Sequence, residues 1–195
     1  MQLITHINKI FRSISYIIVD EKDCWIVDVG DSNELLKLMS GLNLKGIFLT
    51  HCHYDHIYGL YDIIQKYTKT PIYTNQNGLK SLCDPIDNQS AFHDSPFIWS
   101  ELDLIKIVKN NDFIYINNDT PIQAVYTPGH HPSCITWKFN NILFTGDAYI
   151  PGYKPYFKLF GGDEQQANQS FKLIKSLSFG QKILSGHEPL LNGKN

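Results

Sequence analysis

Short apolar runs separated by polar turns follow one another along most of the chain. In the first part of the chain, four such runs are rich in β-branched side chains and end at polar or glycine positions, which is typical of buried strands. These runs are residues 13–19, 24–29, 45–49 and 71–74. A charged turn joins the first two, so we predict a β-hairpin there.

Three other stretches place apolar side chains three and four residues apart, which is the spacing of an amphipathic helix. They are residues 31–39, 57–67 and 164–177. The first helix is predicted to begin at Asp31 or Ser32, with Glu34 completing a capping box. Its predicted buried side consists of Leu35, Leu36 and Leu38.

The later part of the chain returns to short strands. They are predicted at residues 104–108, 113–116, 121–126, 135–139, 142–145 and 182–184. Asn140 and Asn141 tolerate positive φ, so they predict a tight hairpin turn. The alternation of strands and helices before this region favours an α/β layered domain over a barrel or an all-β sandwich. Residues 75–111 give a weaker pattern, with an exposed aromatic loop predicted at residues 91–97.

The composition suits one globular domain. The chain has 195 residues, 43% of them hydrophobic, which is enough for a single domain over residues 1–195 with a substantial core. A net charge of −2 gives no reason to expect a nucleic-acid partner. We expect no membrane span because no apolar run is long enough, and the first residues do not resemble a signal peptide. The four cysteines form no CxxC pair, so we expect reduced thiols in a cytoplasmic protein.

A cluster of histidines follows the strand at residues 45–49. Side chains alternate along an extended chain, so His51, His53 and Asp55 are predicted to point the same way, while His56 reaches a second point. Two neighbouring groups of nitrogen and oxygen ligands indicate two adjacent metal ions. Zinc suits these ligands, with iron, manganese or nickel as alternatives. The competing interpretation is a solvated, histidine-rich loop.

The spacing His51-x-His53-x-Asp55-His56 after an apolar strand resembles the HxHxDH pattern of the metallo-β-lactamase superfamily. That resemblance implies a four-layer αββα sandwich with a metal site at one edge. Residues 127–130 match the superfamily's TPGH turn, and Asp147 and His187 also follow predicted strands, where the resemblance implies the remaining ligands.

The resemblance further implies how the ligands are shared between two metal ions. Metal one would be held by His51, His53 and His130. Metal two would be held by Asp55, His56 and His187. Asp147 would bridge the two ions. A metal-bound hydroxide would then attack the substrate, with Asp55 positioning the water and taking its proton.

The sequence also predicts roles for two residues near the ligands, Asp28 and Cys52. Asp28, at the end of an early strand, either orients a ligand histidine or merely terminates the strand. Cys52 is predicted to point away from His51 and His53 and to serve as a small buried packing residue.

The residue type at the bridging position indicates which enzymes of the superfamily this chain resembles most. An aspartate at position 147 resembles glyoxalase II, lactonases, persulfide dioxygenases and nucleases more than the β-lactamases, which usually have cysteine there. Only residues 188–195 follow the last ligand, so the helical C-terminal region of glyoxalase II is not expected. Residues 148–163 are the predicted substrate wall, with Tyr149 and Lys154 as substrate-binding residues. The alternative for that segment is a surface loop with solvated lysines.

The sequence therefore predicts a dinuclear zinc hydrolase that acts on a small-molecule thioester, ester or lactone. The alternatives are a mononuclear iron dioxygenase acting on a persulfide, a metal-dependent phosphodiesterase, and a metal-stabilised binding protein without catalysis. The dioxygenase would use His51, His53 and Asp147. The sequence predicts no oligomeric state.

Overall fold

A computed structural model describes residues 1–117 and 119–189. The strands are β1 (Gln2–Ile7), β2 (Ile14–Asp20), β3 (Asp23–Val27), β4 (Asn43–Phe48), β5 (Ile72–Thr74), β6 (Ile105–Ile107), β7 (Phe113–Asn117), β8 (Thr120–Tyr126), β9 (Ile135–Phe139), β10 (Ile142–Gly146) and β11 (Lys182–Ser185). The helices are α1 (Ser32–Leu38), α2 (Leu60–Lys66), α3 (Gln76–Leu82) and α4 (Glu164–Leu177). Single 3₁₀ turns are formed by Tyr54–His56, Ser90–Phe92 and Leu102–Leu104.

The strands form two mixed sheets. The first has the order β1-β2-β3-β4-β5-β6, and the second has the order β11-β10-β9-β8-β7. In the first sheet, β1, β2 and β3 pair antiparallel, whereas β3, β4, β5 and β6 run parallel. The parallel pair β4 and β5 is joined through α2, which gives the predicted strand–helix–strand unit.

Side chains on the two faces of the first sheet pack into two different hydrophobic cores. On β3, Trp25 and Val27 belong to the core between the sheets, which also contains Trp137 of the second sheet. The alternate residues Cys24 and Ile26 face the other way and pack in the core that includes residues of α1, α2 and α3. Because successive side chains point to opposite faces, one apolar strand fills both cores.

Helix α4 covers the outer face of the second sheet. Its Ala167 and Ile174 are buried, and Ile174 packs with Cys134 and Ala148. Gly129 lies against this helix with φ +127, and a Cβ there would come within 2.0 Å of the Ala167 backbone nitrogen. Helices therefore lie outside both sheets, which confirms the predicted four-layer αββα sandwich.

Most predicted elements are present with ends shifted by a few residues, and three local details differ. Strand β1 was not predicted, although it pairs with β2 along its whole length. Leu38 is 39% exposed, and Met39 is buried in its place. The predicted cap at Asp31 is also wrong in its contacts, because that side chain makes no capping bond and instead accepts hydrogen bonds from the Lys9 backbone and the Tyr58 hydroxyl.

The structure also describes the length of the helices and the state of the cysteines. In the described residues, no helix combines the length and the apolar character needed to cross a bilayer. All four cysteines are free thiols, and Cys24, Cys52 and Cys134 are buried.

Candidate metal centre

The histidine motif lies where β4 leaves the sheet. His51 and His53 follow the strand, and the backbone at His53 is extended, but residues 54–56 form a 3₁₀ turn. The turn ends the alternation, so the expectation that Asp55 points with His51 and His53 was wrong. Asp55 instead lies with His56 in a second group.

The first group of donor atoms brings together His51, His53 and His130. One ligand atom from each lies within 4.8 Å of the others, and all three residues are buried. The shortest approach is 3.0 Å, between His53 Nδ1 and His130 Nε2. His130 reaches this point from the loop after β8, so the sequence-predicted ligands of metal one converge in space.

The second group consists of Asp55, His56 and His187, which also offer donor atoms within 4.8 Å of one another. Asp55 Oδ2 lies 3.3 Å from His56 Nε2 and 3.3 Å from His187 Nε2. His187 follows β11 in the second sheet, whereas the other two follow β4 in the first. The second group therefore joins the two sheets at one edge of the sandwich.

Asp147 lies between the two groups. Its Oδ2 is 3.6 Å from His130 Nε2 and 3.3 Å from His187 Nε2, while its Oδ1 is 3.6 Å from His56 Nε2. Gly186 leaves the room for this carboxylate, because a Cβ there would lie 2.1 Å from Asp147 Oδ1. The Asp147 carboxylate is therefore within 3.6 Å of rings from both donor groups.

The donor set fits metal ions, as its unpaired atoms show. Three buried side-chain atoms of the centre have no hydrogen-bond partner among the described residues: His51 Nε2, His56 Nε2 and Asp147 Oδ1. The last two lie 3.6 Å apart, and His56 Nε2 is 3.3 Å from Asp55 Oδ2, so they have charge contacts without hydrogen-bond geometry. Leaving such atoms unpaired costs about 1–3 kcal/mol each, and more for charged groups. Cations would satisfy all of them, and imidazole with carboxylate suits zinc, iron or manganese.

Asp28 and Thr50 set the orientation of two histidines. Asp28 Oδ2 lies 3.0 Å from His56 Nδ1 and accepts a 2.6 Å hydrogen bond from the Thr50 hydroxyl. Thr50 Oγ1 lies in turn 3.2 Å from His51 Nδ1. Both rings therefore place Nδ1–H on a partner and leave Nε2 free for a ligand bond. Of the two expectations for Asp28, the structure supports the one in which it orients a histidine.

Backbone carbonyls orient two more rings. His130 Nδ1 donates to the Tyr156 carbonyl at 2.9 Å, and His187 Nδ1 donates to the Phe11 carbonyl at 3.0 Å. Phe11 and Arg12 both have positive φ, of 48° and 56°, which is rare for large side chains. These contacts were missed from sequence because a carbonyl carries no residue-type signal.

Burial keeps the first group ready to bind a cation. Desolvation lowers the pKa of His51 and His53 well below the ordinary value, and it also lowers the pKa of His130. These rings are therefore neutral near pH 7, and neutral imidazole is the form that ligates metals.

The second group and Asp147 together form a cluster of opposite charges. Burial raises the pKa of Asp147, but the nearby His56 and His187 outweigh it and leave the pKa at about 2. Burial lowers the pKa of His187, but Asp147 and Asp55 outweigh it and raise the pKa to about 9. Asp147 is therefore ionised and His187 is protonated near pH 7, and a cation bound at His187 would displace that proton.

Cys52 and His131 lie beside the ligands without joining either donor group. Cys52 is fully buried in the core, and burial raises the pKa of its thiol to about 12, as expected for a packing residue. His131 is also fully buried, and its ring packs 4.8 Å from that of His53.

A cavity of about 300 Å³ opens onto the centre. His130 and Asp147 lie on its inner side, and its walls come from the chain after Asp147 and from α4. The wall residues are Ala148, Tyr149, Ile150, Tyr153, Lys154, Pro155, Tyr156 and Phe171. Both predicted substrate residues, Tyr149 and Lys154, line this cavity. Lys158 is exposed and lies outside it.

The sequence matches known proteins across the region that carries these donors. The model of the metallo-β-lactamase superfamily matches residues 11–187. A hydroxyacylglutathione hydrolase of Hydrogenovibrio crunogenus is 28% identical over 172 residues, which cover 87% of this chain and 55% of the relative. A probable metallo-hydrolase of Bacillus subtilis, YqgX, is 26% identical over 189 residues, which cover 90% of this chain and 84% of the relative. This chain thus spans little more than half the length of the first relative.

Solved structures show the same fold. The B3 metallo-β-lactamase BLEG-1 superposes with a TM-score of 0.83 at 22% identity, covering 96% of this chain and 92% of that one. TTHA1623, solved in a di-iron-bound form, superposes with a TM-score of 0.81 at 20% identity, covering 95% and 92%.

Proposed function

This chain belongs to the metallo-β-lactamase superfamily, and on that premise we propose that it is a dinuclear metal hydrolase of small molecules. The proposed reaction is the hydrolysis of a thioester, ester or lactone, and zinc is the proposed metal. Relatives named as hydroxyacylglutathione hydrolases and as a metallo-hydrolase support this class of reaction.

The observation that carries the proposal is the position of Asp147 between two complete donor groups. Each group offers three ligand atoms within 4.8 Å of one another, and Asp147 approaches rings of both groups at 3.3–3.6 Å. A single structural ion would need only one of these groups, so the arrangement favours two ions with a shared carboxylate.

We propose the following ligands for the two metal ions. His51, His53 and His130 would hold one ion, Asp55, His56 and His187 the other, and Asp147 both. Two bound cations would supply a water molecule acidified enough to lose a proton near neutral pH, and positive charge for a developing oxyanion. No serine or cysteine nucleophile is needed, which agrees with the buried, high-pKa thiol of Cys52.

Asp55 is the proposed proton acceptor. Burial raises the pKa of its carboxyl, but His56 and His187 outweigh that effect and hold the pKa well below its usual range. Asp55 is therefore ionised near neutral pH, and a carboxylate oxygen can accept a hydrogen bond from an attacking water and orient it. The ring protons that lower this pKa would be displaced by bound cations, and we propose that the same carboxylate then receives the proton that the water loses.

The cavity supports a substrate of modest size. Its walls are largely aromatic, and Lys154 adds a positive charge at the exposed side. Tyr149 packs against Phe171 of α4, at 5.1 Å between ring centroids, which holds the ring in the wall. We propose that Tyr149 offers a hydrogen bond to the substrate and that Lys154 attracts an anionic group on it.

The reaction class can be tested with a panel of substrates on the protein as purified. We expect hydrolysis of at least one small thioester, ester or lactone, lost after metal chelation and restored by Zn²⁺. The panel should include a phosphodiester, a nucleic acid and glutathione persulfide with oxygen consumption recorded.

Each result of the panel has a distinct meaning. Turnover of the phosphodiester or the nucleic acid, and of no thioester, ester or lactone, would replace our proposal with a phosphodiesterase. Oxygen consumption with one iron per chain would replace it with a dioxygenase. Hydrolysis that survives complete metal removal would contradict the metal-dependent mechanism itself.

A further inference from the structure

His53 differs from the other histidines of the centre in the nitrogen that faces the donors. Its Nδ1 lies 3.0 Å from His130 Nε2, so Nδ1 is the atom that points into the first group. Its Nε2 points away and lies 3.1 Å from the side-chain amide nitrogen of Gln89. The other histidines of the centre place Nδ1 on their supporting partners: His51, His56, His130 and His187.

The orientation of the His53 ring determines which kind of atom must lie opposite its Nε2. A neutral imidazole carries one proton, so a cation at Nδ1 requires that proton to lie on Nε2. The atom opposite Nε2–H must then be an acceptor. In the structure, the Gln89 amide nitrogen donates a hydrogen bond to His53 Nε2. Rotation of the amide group by 180° would place its oxygen, an acceptor, at the same position.

We infer that Gln89 is a positioning residue for His53. Its amide oxygen accepts a hydrogen bond from Nε2–H when Nδ1 binds a metal ion, and its amide nitrogen donates a hydrogen bond to Nε2 when Nδ1 carries the proton. This inference rests on the proposed metal centre and adds to it a residue that stabilises the metal-binding tautomer of one ligand.

The backbone around Gln89 is built to hold this side chain in place. Gln89 adopts the left-handed conformation, with φ 66° and ψ 7°, which is uncommon for a non-glycine residue. Asn88 is fully buried and donates to the carbonyls of Ser81 and Phe97. The Asn88 carbonyl accepts from the backbone nitrogen of Tyr54 at 2.8 Å, which ties the segment directly to the metal-binding loop.

The same segment supports a second side of the His53 ring. His131 packs against that ring, and its own Nε2 lies 3.3 Å from Asp87 Oδ1. Its Nδ1 lies 2.7 Å from Ser133 Oγ, so the ring is fixed at both nitrogens. Residues 87–89 therefore hold His53 directly through Gln89 and indirectly through Asp87.

Zinc affinity of the full-length protein tests the inference. The variants are Gln89→Met, which keeps the length but removes the acceptor, and Gln89→Glu, which keeps an acceptor. We expect Gln89→Met to weaken one zinc site by about 10-fold or more, the usual effect of losing a ligand's hydrogen-bond partner. Gln89→Glu should bind zinc at least as tightly as the wild type. Gln65→Met, at an exposed position on α2, is the matched control and should change nothing.

A third variant separates the side chain from the backbone. Gln89→Gly accepts positive φ without strain, so it should unfold at no lower temperature while losing zinc affinity like Gln89→Met. A direct readout comes from NMR of zinc-loaded protein with ¹⁵N-labelled histidine. The His53 Nε2–H proton should exchange slowly in the wild type and in Gln89→Glu, and rapidly in Gln89→Met.

The outcomes distinguish this inference from the proposed function. Wild-type protein that takes up no zinc would overturn both. Wild-type protein that binds zinc, with unchanged affinity and proton exchange in Gln89→Met, would overturn the role of Gln89 alone. Gln89→Glu as weak as Gln89→Met would also overturn it, because an acceptor would then not be what the site needs.

Discussion

At the residue scale, the centre depends on which nitrogen each histidine leaves free. Asp28 illustrates the cost of this arrangement, because it is 1% exposed and has a φ of 58°. Such a conformation costs about 1–3 kcal/mol in a non-glycine residue. The same aspartate accepts hydrogen bonds from the Thr50 nitrogen and hydroxyl and contacts His56 Nδ1. The strain is tolerated because it fixes the ligand rings.

The contrast between Asp147 and Cys52 follows from these contacts. Asp147→Ala removes the carboxylate between the two donor groups, so we expect loss of metal and a fall in kcat of more than about 100-fold. Cys52→Ala trims a buried thiol that lies 3.9 Å from the Thr74 hydroxyl and belongs to neither donor group. It should cost about 1 kcal/mol of stability and leave the metal content unchanged.

These two variants should be compared by metal analysis, steady-state kinetics and thermal unfolding of the same preparations. Loss of metal from Cys52→Ala with the fold intact would mean that the metal-binding loop exposes a different face to the ions. Full metal content in Asp147→Ala would remove the bridging role from Asp147.

At the element scale, the ligands share one property, which is that each follows the end of a strand. His51 and His53 follow β4, His130 follows β8, Asp147 follows β10 and His187 follows β11. Strand ends can be predicted from sequence because apolar β-branched runs stop at polar turns. The cluster from His51 to His56 could therefore be placed at a strand end from sequence, whereas the ligand roles of His130, Asp147 and His187 came from the resemblance to the superfamily.

The supporting contacts could not be predicted in the same way. Gln89 lies in a segment whose pattern gave no clear element, and it contacts His53 across 36 positions of sequence. The carbonyls of Phe11 and Tyr156 act through the backbone and have no signature in residue type. The 3₁₀ turn at residues 54–56 was likewise missed, because a single turn leaves no hydrophobic period.

The segment after Asp147 should control substrate choice without controlling metal content. Tyr149→Phe and Lys154→Ala each remove one polar contact from the cavity wall. Each should lower kcat/KM on the best substrate by about 5- to 150-fold, since a substrate hydrogen bond or charge contact contributes about 1–3 kcal/mol. Kinetics and metal analysis of both variants check this, with Lys158→Ala as the control outside the cavity.

Two results would contradict this assignment of the substrate-binding segment. Unchanged kcat/KM in both variants would place the wall elsewhere, such as at residues 91–97, where Phe92 is 80% exposed. Phe97 cannot share that role, because it is buried, contrary to the exposed loop expected from sequence. Metal loss in Tyr149→Phe would show that this segment also supports the centre.

At the scale of the whole molecule, the fold brings both sheets to one edge and places the centre there. The first sheet supplies His51, His53, Asp55 and His56, and the second supplies His130, Asp147 and His187. Neither sheet alone provides both donor groups, so the packing of the two sheets is a condition for assembling the centre. A single domain over residues 1–195 and a cytoplasmic location stay predictions from the sequence.

The metal stoichiometry of the freshly purified, untagged protein tests the central claim most directly. Elemental analysis should find up to two transition-metal ions per chain, mostly zinc, and metal-stripped protein should regain two equivalents of Zn²⁺ on reconstitution. Protein that contains no metal and takes none up would contradict the account, because the converging donors would then be a hydrogen-bonded cluster and not a metal centre.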